Sequence, residues 1–267
     1  MTPNPTGTID LTVLINGHRE GPLIAPAIRS AHAAIHPARA RGVCCELLLV
    51  LDRGDDDTRA IAHGLLGADE RLLSVDVGDP SRARNIGVEN ARGTAIALLD
   101  GDDMFGRSWL ADAFEALRRH RSADVCLHPA TTVIFGEERV IWRHIGADHP
   151  DFRPKNTMFE NYFTCLSLAP TCLFRRVPFR PCALSSGFGH EDWAWMRETM
   201  HHGVRHLVVP GTLHAVRRKR SSRLVEARAL DLLPVPTPLF SGRDMLVASS
   251  AGGGPPRDET PNCGEQA

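Results

Sequence analysis

Three carboxylates fall within four positions in IALLDGDDMF, residues 96–105: Asp100, Asp102 and Asp103. They follow an apolar run that reads as a buried strand. Like charges this close repel one another. The segment is therefore either a solvated turn or a place where something positive is held. Carboxylate oxygens are hard ligands and suit Mg²⁺ or Mn²⁺. A protein commonly holds such an ion through one or two carboxylates together with a substrate diphosphate, so the pattern points to a nucleotide ligand. An EF-hand is excluded, because counting from Asp100 there is no Gly at loop position six and no Glu at position twelve. The phosphate loop G-x-x-x-x-G-K-[ST] and the dinucleotide fingerprint G-x-G-x-x-G are both absent.

Two further groups could carry chemistry. Glu191 and Asp192 open a helix-like stretch after GFGH, and Trp193 and Trp195 follow them. The alternative for this acidic pair is service to the positive end of a helix dipole. The run HAVRRKRSSR, 214–223, gathers one His and five Lys or Arg residues. It could contact phosphate, or simply form a solvated basic face.

The elements that must position these residues alternate. LTVLIN (11–16) reads as a strand, and Ile24, Ile28, Ala31 and Ile35 then recur at helical spacing until Pro37 closes the pattern. ELLLVL (46–51) has the continuous apolar character of a strand buried on both faces. A helix from Thr58 to about Leu66 and a strand RLLSVDV (71–77) follow. Ser81 is placed to cap the next helix, which stops before Gly93. TAIALL (94–99) delivers the acidic cluster, and SWLADAFEALRRH (108–120) is an amphipathic helix. Strand–helix alternation over 120 residues predicts a doubly wound, mostly parallel α/β sheet. Ligands bind such sheets outside the carboxyl ends of the strands, so Asn16, Asp52 and Asp100–Asp103 would gather on one rim. In the second half, DVCLHPATTVIFG and RVIWRHIG read as a hairpin. Residues 148–165 read as a loop with a short helix, TCLFRR (171–176) as a short strand, residues 190–203 as a helix and RHLVVP as a strand. From 241 the chain is rich in Gly, Pro and Ser and is expected to be disordered.

Composition narrows the field. A net charge of −1 gives no global field for nucleic acid. Seven cysteines without a C-x-x-C pair argue against structural zinc. The odd count and a start lacking a signal-peptide pattern point to a reducing cytoplasm. No apolar run approaches the ~20 residues that span a bilayer.

Taken together, LTVLINGHRE, ELLLVLDRGDDDT, SRARNIGVENARGTAIALLDGDD, TCLFRR and SSGFGHEDWAWMRETMHHG resemble, in order, a family 2 glycosyltransferase of the GT-A fold, over roughly residues 9–222. The resemblance implies one GT-A domain over 1–240. A nucleotide-binding half covers about 1–120, and an acceptor half with a smaller β-hairpin region covers about 121–240. It implies that Asn16 and Asp52 hold the nucleoside, that Arg84 approaches the nucleotide or its diphosphate, and that Asp100 faces the ribose or donor sugar. Asp102 becomes the direct metal ligand, with Asp100 and His214 completing the shell around Mg²⁺ or Mn²⁺. Asp103 either orients the others or binds the metal through water. Arg217, Arg218, Lys219 or Arg220 contacts phosphate. Asp192 becomes the general base of an inverting displacement, with Glu191 beside it. The implied partners are a nucleotide-sugar donor, of UDP type, and a glycan or glycolipid acceptor. Residues 217–223 could also touch the inner face of a membrane. Two other functions fit less well. A catalytically silent nucleotide-sugar-binding module would be expected to lack the D-x-D or the base. A nucleotidyltransferase would need a Gly-rich basic loop after the first strand, and INGHREGP is a poor match.

Overall fold

The computed structural model describes residues 8–120, 123–181 and 184–240, so the 241–267 tail lies outside the described residues. Its first half follows the predicted alternation: β1 (Leu11–Gly17), α1 (Ile24–Ala40), β2 (Cys45–Asp52), α2 (Asp56–Leu65), β3 (Arg71–Val75), α3 (Pro80–Asn90) and β4 (Ala95–Asp100). A two-residue strand β5 (Met104–Phe105) and α4 (Trp109–Arg119) complete it. The second half adds β6 (Val125–Gly136), β7 (Val140–Arg143), β8 (Leu168–Pro170), α5 (Thr171–Arg176), β9 (Phe188–Gly189), α6 (Glu191–His201), β10 (Arg205–Arg218), α7 (Arg223–Ala229) and β11 (Leu233–Pro234).

One nine-stranded sheet runs through both halves in the order β3-β2-β1-β4-β8-β6-β10-β5, with β7 on β6. The four strands β3, β2, β1 and β4 are parallel, as are β6 and β10. β8 pairs antiparallel with both β4 and β6 and joins the halves. The strands of the first half alternate between two apolar layers, as period-two side chains must. Leu11, Val13 and Ile15 meet α1 and α4, while Leu14 packs with Ala83 and Val88 of α3 and Trp195 of α6.

Several local expectations change. TCLFRR is the helix α5, not a strand. A six-residue run with two apolar positions fits either period, and docking Leu173 and Phe174 into the core decides for helix. α3 is capped by Asp79, whose carboxylate accepts from Arg82 N at 2.9 Å, and Ser81 lies inside the helix. α1 passes through Pro37 to Ala40; a proline in the last turn removes one N–H but leaves its carbonyl to accept from Arg41 N. The 148–165 region contains a short 3₁₀ turn, Pro154–Met158. β10 extends beyond the expected strand and carries Arg217 and Arg218 with it.

Cys126, His128 and His206, unrelated by sequence spacing, meet in the core with ligand atoms within 4.8 Å of one another. His128 Nε2 and His206 Nδ1 are hydrogen-bonded to each other at 2.9 Å, and Thr199 Oγ1 lies 2.9 Å from His206 Nε2. Burial lowers both imidazoles, His206 to about 3, so the pair is neutral. It serves as a polar tie between β6, β10 and α6.

Candidate active site

The carboxyl ends of β2, β1 and β4 form one rim. Asn16 of β1 sits in register with Val50 of β2 and Asp100 of β4. Gly101 N donates to Asn16 O at 2.9 Å and turns the chain there. A Cβ at Gly101 would lie 2.9 Å from Gly17 Cα and 3.0 Å from Ile24 Cδ1, so the turn needs glycine. Asn16 Oδ1 is buried with no hydrogen-bond partner among the described residues. The rim where ligands of such sheets bind thus has an acceptor with unmet hydrogen-bonding capacity. Asp52 is buried, and its Oδ1 accepts from Val77 N (2.8 Å) and Gly78 N (3.1 Å), which shapes the loop before α3.

Arg84 links this rim to the second half. It projects from α3 and is 4% exposed. Nη2 donates to Asp100 Oδ1 at 3.0 Å and Nη1 to Glu191 Oε1 at 2.9 Å. Its Cζ lies 5.5 Å from the centre of the Phe179 ring. Asn85 fixes Phe179 by pairing with its backbone N–H and carbonyl. One guanidinium thus holds acids 107 and 16 residues away.

The three acids near Arg84 respond differently. Burial would raise Glu191, but the charge and hydrogen bond of Arg84 hold it below its usual value. Asp100 is raised, first by burial and then by Asp102 and Glu191, against the pull of Arg84. Asp192 is raised to about 6 by burial and by the neighbouring Glu191 carboxylate. Its Oδ1 accepts from Trp193 N at 2.8 Å at the start of α6. His190 turns into that helix at φ 59°. A carboxylate poised near neutrality beside a fixed ion pair can serve as a general base.

Besides Arg84 on Asp100, the clustered aspartates hold a second positive group, Lys219. Its Nζ lies 2.7 Å from Asp102 Oδ2 and 3.0 Å from Glu20 Oε2. Asp103 is buried, and its Oδ1 accepts from Arg217 N at 2.7 Å, anchoring the end of β10. Burial, then Asp102 and Asp100, push Asp103 well above the usual carboxylate range. Burial and Asp102 likewise raise Glu20. Burial and mutual repulsion thus work against ionising all of these acids together, a cost that a bound cation would relieve, and their hard oxygens fit Mg²⁺ or Mn²⁺.

Other predicted residues are placed elsewhere. His214 is fully buried, with its ring centre 5.1 Å from Phe105 and 4.7 Å from Trp109. Neither ring nitrogen has a hydrogen-bond partner among the described residues, and burial keeps the ring neutral. It packs in the α4 layer, not among the open carboxylates. The Arg217 guanidinium lies 4.6 Å over the Phe135 ring, with Nε donating to Asp102 O at 3.3 Å. Arg220 is exposed and pairs with Glu137 at 3.1 Å, while Arg218 and Arg228 face Glu138. The Glu137–Glu138 turn thus offsets much of the basic run. Trp195 is buried in a stack with Phe174 and Phe179. Trp193 donates from Nε1 to Thr157 O at 2.8 Å and so ties the 154–158 turn to the start of α6. Glu20 was absent from the sequence-derived site. Its partner lies 199 residues away, and no spacing rule connects them. Among the described residues, no helix is long and apolar enough to cross a membrane.

Comparison with known proteins bears on the family and the fold. The model of Glycosyl transferase family 2 matches residues 12–181. The succinoglycan biosynthesis protein ExoO of Rhizobium meliloti (strain 1021) is 35% identical over 95 residues, which is 35% of this chain and 26% of that protein. S. aureus TarS 1–349 in complex with UDP-GlcNAc superposes with a TM-score of 0.63 at 15% identity, over 82% of this chain and 61% of that one. The same protein in complex with UDP gives 0.61 at 16% identity, over 83% and 64%. The chain thus spans about a quarter of ExoO and under two thirds of these TarS chains. At such identities the likeness to TarS is one of fold, the mixed α/β sheet of GT-A glycosyltransferases. Because the family match covers more than half of the sequence, the chain belongs to glycosyl transferase family 2.

Proposed function

We propose that this chain is an inverting glycosyltransferase that moves a sugar from a nucleotide-sugar donor of the uridine class to an acceptor hydroxyl. The observation that carries this reading is the Asp100–Arg84–Glu191 bridge. It sets the nucleotide rim against the helix that presents Asp192, whose carboxyl is held at about 6. UDP-GlcNAc and UDP bind the structurally similar TarS, which favours a uridine donor.

In the proposed reaction, Asn16 and Asp52 hold the nucleoside, and Asp100 and Arg84 orient the sugar and diphosphate. Asp192 takes the proton from the acceptor hydroxyl as that oxygen attacks the anomeric carbon. The bond from that carbon to the diphosphate oxygen breaks on the opposite face, and its electron pair leaves with the diphosphate. One displacement inverts the anomeric centre. A divalent ion held by Asp102, with Asp100, would offset the charge developing on the leaving diphosphate. Arg217 supplies further positive charge, and His214 and Arg220 have no part in this arrangement. The acceptor is a glycan or glycolipid. Trp193 and the 84% exposed Phe159, on the segment that Trp193 secures, supply aromatic surface for it.

The pH dependence tests the base. Asp192 must be ionised to accept a proton, so its value of about 6 means that turnover rises through pH 6 and levels above about pH 7. A rate already at its plateau at pH 4.5 would remove Asp192 from that role.

A further inference from the structure

Lys219 is held against Asp102, the residue proposed above to bind the metal. Its Nζ touches Asp102 Oδ2 at 2.7 Å, and Glu20 Oε2 also holds it at 3.0 Å. The backbone two residues earlier is fixed, because Arg217 N donates to the buried Asp103 and the Arg217 guanidinium lies over Phe135. Burial opposes the Lys219 charge, but its bonds to Asp102 and Glu20 more than restore it. A divalent cation on Asp102 would lie within a few ångströms of this ammonium, and like charges that close repel strongly in a partly enclosed site. Lys219 has a flexible four-carbon stem, so its head can move several ångströms while its backbone stays in place.

We propose that Lys219 is a positioning residue that holds Asp102 in the donor-free protein and passes to the donor's diphosphate when a metal-bound nucleotide enters. Glu20 keeps it within reach and receives it back when the diphosphate leaves. This rests on the donor reading above and adds a consequence that reading does not contain. Metal alone must evict Lys219 and binds weakly. Metal with a nucleoside diphosphate offers Lys219 a new anionic partner, so each ligand strengthens the other.

The test is Mn²⁺ binding to the purified full chain at pH 7.5, read by the loss of the free-ion EPR signal, first without nucleotide and then with saturating UDP. In the unaltered protein, UDP is expected to tighten Mn²⁺ binding at least about tenfold. In Lys219→Ala, Mn²⁺ alone should bind at least about fivefold tighter, and the tightening by UDP should fall below about threefold. Lys219→Met, which keeps the stem, should behave likewise and serves if the alanine variant does not fold. Lys219→Arg should retain most of the coupling. Arg228→Ala removes the same charge from the exposed pair with Glu138 and should stay within about twofold of the unaltered protein on both readings. If Mn²⁺ affinity without nucleotide is unchanged in both lysine variants, or their coupling to UDP equals that of the parent, the handover is wrong while the donor reading stands. If the parent binds no UDP with or without Mn²⁺, the donor reading fails and the handover fails with it.

Discussion

Asp192→Asn is expected to lower turnover by roughly 10²–10⁴-fold, the usual worth of a positioned general base. Asparagine keeps the shape and can still accept from Trp193 N, but it cannot take a proton from an acceptor hydroxyl. UDP affinity should stay within about twofold, because in the proposed reaction Asp192 touches the acceptor and not the nucleotide. The same substitution should also stabilise the protein. The Asp192 carboxyl titrates at about 6 when folded, against 3.8 as the ordinary value, so the folded state favours the protonated form. The wild-type protein therefore loses stability as pH rises from about 4 through 6, and the variant does not. Differential scanning calorimetry should find Asp192→Asn more stable at pH 7.5, with the gain fading as pH falls toward 4. Loss of activity with a gain in stability separates a functional acid from a residue that merely caps a helix, whose removal would cost stability.

Asp102→Ala should be comparably severe. In the proposed reaction Asp102 is the principal metal ligand, and its loss removes several kcal/mol of charge stabilisation at the leaving diphosphate, on the order of a thousandfold in turnover. The Mn²⁺-dependent part of UDP binding should disappear by calorimetry. The fold should survive, since the Asp102–Lys219 contact is partly solvent-exposed and such pairs contribute little, about 1 kcal/mol or less. Unchanged Mn²⁺ and UDP affinities in a folded Asp102→Ala protein would sink the metal assignment. The contrast with Lys219→Ala is useful, because neighbouring substitutions then move metal affinity in opposite directions.

The first half of the fold was legible because its information is local. β1, β2 and β4 are apolar runs long enough to mark strands buried on both faces, and each carries a polar residue, Asn16, Asp52 or Asp100, at or next to its last position. α1 shows its buried stripe of Ile and Ala directly in the spacing. Short segments carried less. TCLFRR could satisfy either period, and β5 is too brief to leave a pattern. At the site, Asp100, Asp102, Glu191 and Asp192 could be picked out through motif context. What Arg84 does with two of them could not, since it joins α3 to the ends of β4 and α6 through tertiary packing. His214 illustrates the converse. It lies in a basic run beside candidate ligands, yet strand alternation turns its ring into the core between Phe105 and Trp109. Lys219 and Glu20 meet only because β10 ends beside the loop that follows β1, a contact that no periodicity encodes.

The most direct measurement is release of nucleoside diphosphate from a panel of nucleotide sugars incubated with the full chain and Mn²⁺, with and without EDTA, and repeated with Asp192→Asn. The account predicts release from at least one uridine-diphosphate sugar, abolished by EDTA and slowed at least about a hundredfold in the variant. No release from any donor, or equal release by the variant, would contradict it.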